Sequence, residues 1–119
     1  MFKLIRDNIP TIITKDGGKI NYAAVQDDDF FKGLLRGKLV EELNEYFSSA
    51  DSLEELVDVV TVIDYIIGDR KSEFDEMYAQ KLKEVGGFDK RYIAFFQDEP
   101  TEGSTEMTAM PIETTEEIN

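Results

Sequence analysis

The chain has 119 residues and a formal charge of −13 from 26 acids and 13 bases, with no Cys, His or Trp. The length suits one domain around one core, and the 41% apolar content supports a globular fold. The missing Cys and His exclude disulfides, thiolate nucleophiles, Ser-His-Asp triads and zinc sites built on sulfur or imidazole. Any metal must then be held by oxygen, which favours Mg²⁺, Mn²⁺ or Ca²⁺. The acidity also argues against a general binder of nucleic-acid backbones, which needs a basic face, but leaves open phosphate binding through a metal.

In chain order, Asp7 is placed to cap a short helix through about Lys15, with Ile9, Ile12 and Ile13 on its buried side. Asp16-Gly17-Gly18 reads as a turn, and Asn21 to Val25 as a short extended piece or coil. The acids Asp27, Asp28 and Asp29 open a long helix to about Ser48, acids being favoured at its positive end. Ser52 and Glu55 have capping-box spacing and start a second long helix to Ile67, stopped by Gly68. Ser72 to Val85 forms a third, stopped by Gly86-Gly87. Phe88 to Gln97, rich in aromatics, reads as a small strand or an extended segment on the helices. Residues 98–119 carry seven acids, five Thr and no Lys or Arg, which predicts a flexible tail. The expected division is therefore an all-α domain over 1–97, of charge −6, and an acidic tail over 98–119.

No apolar run approaches the ~20 residues of a membrane span. Leu56 to Ile67 is interrupted by Asp58, Thr61 and Asp64. The first residues lack the apolar stretch of a secretory signal, so the expected location is cytoplasmic.

The informative feature is a set of carboxylates on the predicted hairpin. At ~100° per residue, Phe31, Leu35, Leu39, Leu43 and Tyr46 form the apolar stripe of the first long helix. Glu42 falls inside that stripe and Glu45 at its edge, on the side of Lys38, while Glu41 points further out. On the second, Leu53, Leu56, Val59, Val60, Ile63 and Ile67 define the buried side, with Glu55 at its edge and Asp58 one turn on. The pairs Glu42/Glu45 and Glu55/Asp58 lie equally far from the link, roughly 10 Å up antiparallel helices. Four carboxylates in one seam repel one another, and a hard divalent cation relieves the repulsion. The plainer reading is four solvated acids on wet helix faces.

These residues carry a resemblance. EExxE (Glu41, Glu42, Glu45) followed by ExxD (Glu55, Asp58) on a helical hairpin resembles the MazG-like all-α nucleoside triphosphate pyrophosphohydrolases. Lys3-Leu4-Ile5-Arg6-Asp7-Asn8-Ile9-Pro10 is similar to the KLVRDKIP opening of one MazG-related subgroup, with Asn8 where that subgroup has Lys. Gly86-Gly87-Phe88-Asp89-Lys90-Arg91 resembles its GGFxKR segment. The link between Glu45 and Glu55 is shorter than in many MazG-type proteins.

The resemblance implies a helical-hairpin bundle and Glu42, Glu45, Glu55 and Asp58 as ligands of Mg²⁺, with Mn²⁺ as a substitute. It implies water attack on a nucleoside or deoxynucleoside triphosphate, releasing pyrophosphate and the monophosphate, in nucleotide-pool sanitation. Among Glu41, Glu42 and Glu45 one accepts the proton of water, Glu41 having the less favourable phase.

Arg6, Lys38, Lys90 and Arg91 are candidate triphosphate contacts. Each has a plainer alternative, an intrahelical ion pair for Lys38 and a solvated or structural place for the other three. Lys81 and Lys83 suit the negative end of their helix. Asp64 is either a further site acid or a buried acid at a subunit interface. Tyr22, Phe30, Phe31, Tyr46 and Phe47 are either core aromatics or stacking surfaces for a base. The second long helix is apolar over more than half its circumference, which predicts a homodimer or larger assembly. Two rival functions share the same acids: an acidic helical interaction module, such as a DNA mimic or partner-binding protein, and a nucleotide binder without hydrolysis.

Overall fold

The computed structural model describes residues 2–96, and the predicted acidic tail lies outside the described residues. Four α-helices follow in order: α1 (Ile9–Lys15), α2 (Asp28–Ser48), α3 (Leu53–Ile67) and α4 (Lys71–Val85). A 3-10 turn, Gly68–Arg70, joins α3 to α4. Among the described residues there is no strand, so the fold is all-α, and the aromatic segment after Gly87 is irregular. None of these helices is long and apolar enough to cross a membrane. The chain falls into two units, Met1–Glu84 and Val85–Asn119.

The ends of the long helices follow from local chemistry. The Asp27 carboxylate accepts from the Phe30 amide at 2.8 Å and caps α2. Ser52 caps α3 by accepting from the Glu55 amide at 3.4 Å. The reciprocal half of the capping box is replaced, because the Ser52 amide donates to Ser49 Oγ at 3.2 Å instead of to Glu55. Gly68 adopts φ 56°, ψ −127°, a backbone state that side chains disfavour, and this ends α3. The first helix departs from expectation. It begins at Ile9 with Asn8 in the cap position and no side-chain cap bond, so Asp7 does not cap it. Ile12 is exposed while Ile9 and Ile13 are half-buried.

α2 and α3 pack together as a helical hairpin, about 31 Å and 22 Å long. Buried in it are Leu35 from α2 and Val59, Val62 and Ile67 from α3. The α3 stripe is rotated from the sequence expectation: Val62 is inside, whereas Leu53, at 77% exposure, and Val60 face outward. Asp64 is exposed in the single chain.

The link that sets the register of the hairpin is tied at four points. Ser49 donates to the Tyr46 carbonyl through both its amide, at 3.0 Å, and its hydroxyl, at 2.7 Å. The Ser49 hydroxyl in turn accepts from the Ser52 amide, and Tyr46 OH donates to Asp51 Oδ1 at 2.5 Å. Asp51 takes the left-handed turn at φ 59°, a conformation Asp tolerates better than most residues.

Upstream of α1, residues 2–6 run along this hairpin. The Phe2 ring meets the Phe30 ring edge-on at 5.6 Å, Lys3 pairs with Glu41 on α2, and Arg6 pairs with Asp58 on α3.

Candidate metal centre

The register of the hairpin brings Glu42 and Glu45 of α2 against Glu55 of α3. One carboxylate oxygen from each lies within 4.8 Å of the others. The three differ in environment: Glu42 is buried at 6% exposure, Glu55 is half-buried and Glu45 faces solvent. Two oxygens in the group, Glu42 Oε2 and Glu55 Oε2, are buried without a hydrogen-bond partner among the described residues. A buried acceptor left unpaired costs about 1–3 kcal/mol, so the group is unsatisfied as it stands. Burial first, and then the Glu45 carboxyl beside it, push the Glu42 carboxyl above its ordinary value, against the opposing pull of Lys38.

Lys38 lies one turn before Glu42. Its Nζ is 3.1 Å from Glu41 Oε2 and 3.3 Å from Glu42 Oε1. Burial would lower the Lys38 pKa, but hydrogen bonds and charge from Glu41 and Glu42 outweigh it and raise the pKa. Glu41 is held below its ordinary value, first by the hydrogen bond from Lys38 and then by that from Lys3. Glu41 therefore anchors two cations at the rim of the cluster, and the intrahelical ion pair expected as the plain alternative for Lys38 is present.

Asp58 is not part of the group. Its Oδ1 accepts from Arg6 Nη2 at 2.7 Å, and that tertiary contact, across 52 positions of sequence, engages it outside the cluster. Of the four carboxylates grouped by helical phase, three meet and the fourth is engaged elsewhere. Lys90 and Arg91 belong to the second unit, where both are exposed. Lys90 Nζ sits 5.9 Å from the Tyr92 ring centroid, and Arg91 takes a turn at φ 58°.

Beside the cluster, an open groove of about 510 Å³ is lined by Glu41, Asn44, Glu45, Ser48, Ser49 and Glu55. Its hydroxyl and amide side chains escape the sequence argument, although Asn44 and Ser48 stand three and seven residues past Glu41, on the same helical face. Lys3 opens the KLIRDNIP motif, but its contact with Glu41, 38 positions on, depends on the path of the chain and has no local signal.

Three carboxylates of graded burial, with two oxygens lacking donors, suit a hard divalent cation. Such ions take oxygen ligands and leave positions for water or phosphate. The described residues thus define an all-α chain whose helical hairpin carries a candidate acidic cation site. Compared with family models, curated proteins and solved structures, the chain finds no match.

Proposed function

We propose that the protein is a Mg²⁺-dependent nucleoside triphosphate pyrophosphohydrolase, with Mn²⁺ as a substitute ion, serving nucleotide-pool sanitation. The observation that carries this reading is the Glu42/Glu45/Glu55 group with its two buried, partnerless oxygens. A DNA mimic would spread its acids over an exposed face, whereas gathering them in a seam at the cost of burying one suits cation chemistry. The resemblance of EExxE and ExxD to the MazG-like hydrolases supports the same direction.

Glu42, Glu45 and Glu55 would hold the ion. When bound, it supplies Lewis acidity toward the triphosphate and toward water. The chain's own groups do the rest. The solvent-facing Glu45, which also lines the groove, accepts the proton of the attacking water. The water oxygen bonds to the α-phosphorus, the bond from α-phosphorus to the bridging oxygen breaks, and pyrophosphate leaves with that electron pair. Arg6 and Lys3, both exposed and paired with Asp58 and Glu41, would meet phosphate oxygens in this reading, while Lys38 pairs with Glu42. A homodimer belongs to the same reading, with a second copy covering the outward apolar positions of α3.

The test is pyrophosphate release from a panel of canonical and modified NTPs and dNTPs with Mg²⁺. The expected result is turnover of at least one member by the native chain and its loss in Glu42→Gln. No turnover across the panel, or equal turnover by the variant, would reject the assignment.

A further inference from the structure

The phase of α3 places Asp58 one turn beyond Glu55, where side chains three residues apart are neighbours. Reach along the helix therefore does not explain its separation from the trio. Arg6 does: its Nη2 sits 2.7 Å from Asp58 Oδ1. The pair is open, with the side chains 55% and 33% exposed, and an ion pair in that setting is cheap to exchange. A guanidinium binds phosphate oxygens with the same forked geometry it uses for a carboxylate, and a triphosphate offers it several charges where Asp58 offers one. That the neighbouring cluster takes a cation has its own support, since Glu42 is more than nine-tenths buried and its Oε2 has no partner among the described residues.

We infer that Arg6 is a latch on Asp58 that a bound nucleoside triphosphate releases. The inference rests on the pyrophosphohydrolase reading and adds a regulatory step to its site. Without nucleotide, Arg6 engages Asp58 and three carboxylates face the cation. With nucleotide, the guanidinium transfers to phosphate oxygens and Asp58 turns to the cluster as a fourth carboxylate. Metal and nucleotide then bind with positive coupling, and by linkage each raises the affinity for the other by the same factor.

Removing any nearby cation would strengthen metal binding by simple electrostatics, so the test must isolate Asp58. Mn²⁺ binding to the full chain is measured by calorimetry, alone and with a nucleoside triphosphate analogue carrying a methylene α–β bridge. The variants are Arg6→Met, Asp58→Asn and both together, each checked for helical content by circular dichroism. For Mn²⁺ alone, Arg6→Met should bind up to about fivefold tighter, the most that release of an exposed ion pair allows, Asp58→Asn should match the native chain, and the double variant should lose the gain. The analogue should enhance Mn²⁺ binding less in Arg6→Met than in the native chain. An unchanged affinity in Arg6→Met, or a gain that persists in the double variant, overturns the latch while leaving the cation site standing. If the native chain binds no Mn²⁺ with or without the analogue, the pyrophosphohydrolase reading fails and the latch fails with it.

Discussion

Lys38 Nζ lies 3.3 Å from Glu42 Oε1, and the same ammonium reaches Glu41 at 3.1 Å, while Glu42 Oε2 has no partner among the described residues. One lysine, 17% exposed, thus compensates the most buried carboxylate of the cluster on one side only. Lys38→Met should uncover that carboxylate and lower unfolding stability by about 2 kcal/mol in the presence of chelator. Saturating Mg²⁺ should recover part of the loss, because an ion bound at the trio compensates the same charge. Urea unfolding with EDTA and with Mg²⁺ measures both. An equal loss in the two conditions would separate Lys38 from the cation site.

The heights at which Glu42, Glu45 and Glu55 meet depend on the four-residue link between α2 and α3. Asp51 holds its turn at φ 59° and accepts from Tyr46 OH. Asp51→Ala should cost about 1–2 kcal/mol in unfolding stability, since Ala has neither the left-handed tolerance nor the acceptor. Asp51→Gly restores the backbone freedom and should be milder. If the link sets the register, Asp51→Ala should also weaken Mn²⁺ binding severalfold although it touches no carboxylate of the cluster. Unchanged Mn²⁺ binding in a destabilised Asp51→Ala would show that helix packing alone fixes the site.

The parts of this arrangement that were legible in the sequence are those governed by neighbours along the chain. Asp27, Ser52 and Gly68 mark the long-helix ends because a cap or a positive φ is decided within a turn. The trio was legible because helical phase and equal distance from the link are both local arithmetic. Asp58 had the same phase argument, but its partner stands 52 positions away on irregular chain, and no periodicity reports that contact. The pattern points Leu53 and Val60 inward because α3 is apolar over much of its circumference. A helix with one hairpin partner can bury only one side of such a surface. Asp7 lost the cap of α1 because Pro10 already supplies the fixed φ near the helix start, and the chain enters one residue later.

That outward surface carries its own prediction. Among the described residues four apolar side chains, Leu35, Val59, Val62 and Ile67, are buried, while Leu53, Val57 and Val60 stand exposed along α3. So small a core leaves a domain marginal by itself, and a second copy related by a two-fold axis would cover the stripe with its equivalent. Sedimentation of the native chain should give a dimer. Val57→Glu should raise the dissociation constant by at least about tenfold, since each dimer would then bury two carboxylates. A monomeric native chain would exclude the second copy as the cover.

Glu42→Gln should separate the demands of folding from those of chemistry. In the metal-free chain the Glu42 carboxyl is pushed up by burial and by Glu45, with Lys38 opposing, while Glu55 supplies a further acid to the group. The folded state therefore holds this proton more tightly than the unfolded state. Its contribution to stability is present below the ordinary carboxylate pKa and is lost as pH rises through the raised value. Gln has no proton to lose and nearly the same shape. With chelator, the melting temperature of Glu42→Gln should match the native chain at low pH and exceed it near neutrality. Glu41, held down by Lys38 and Lys3, has the opposite dependence, but it is common to both chains and cancels in the difference. Mg²⁺ should narrow the neutral-pH gap by stabilising only the chain that retains the carboxylate. The same substitution should remove Mg²⁺-dependent turnover. A variant less stable than the native chain at neutral pH with chelator would mean that Lys38 already satisfies Glu42, leaving no unmet charge for a cation to relieve.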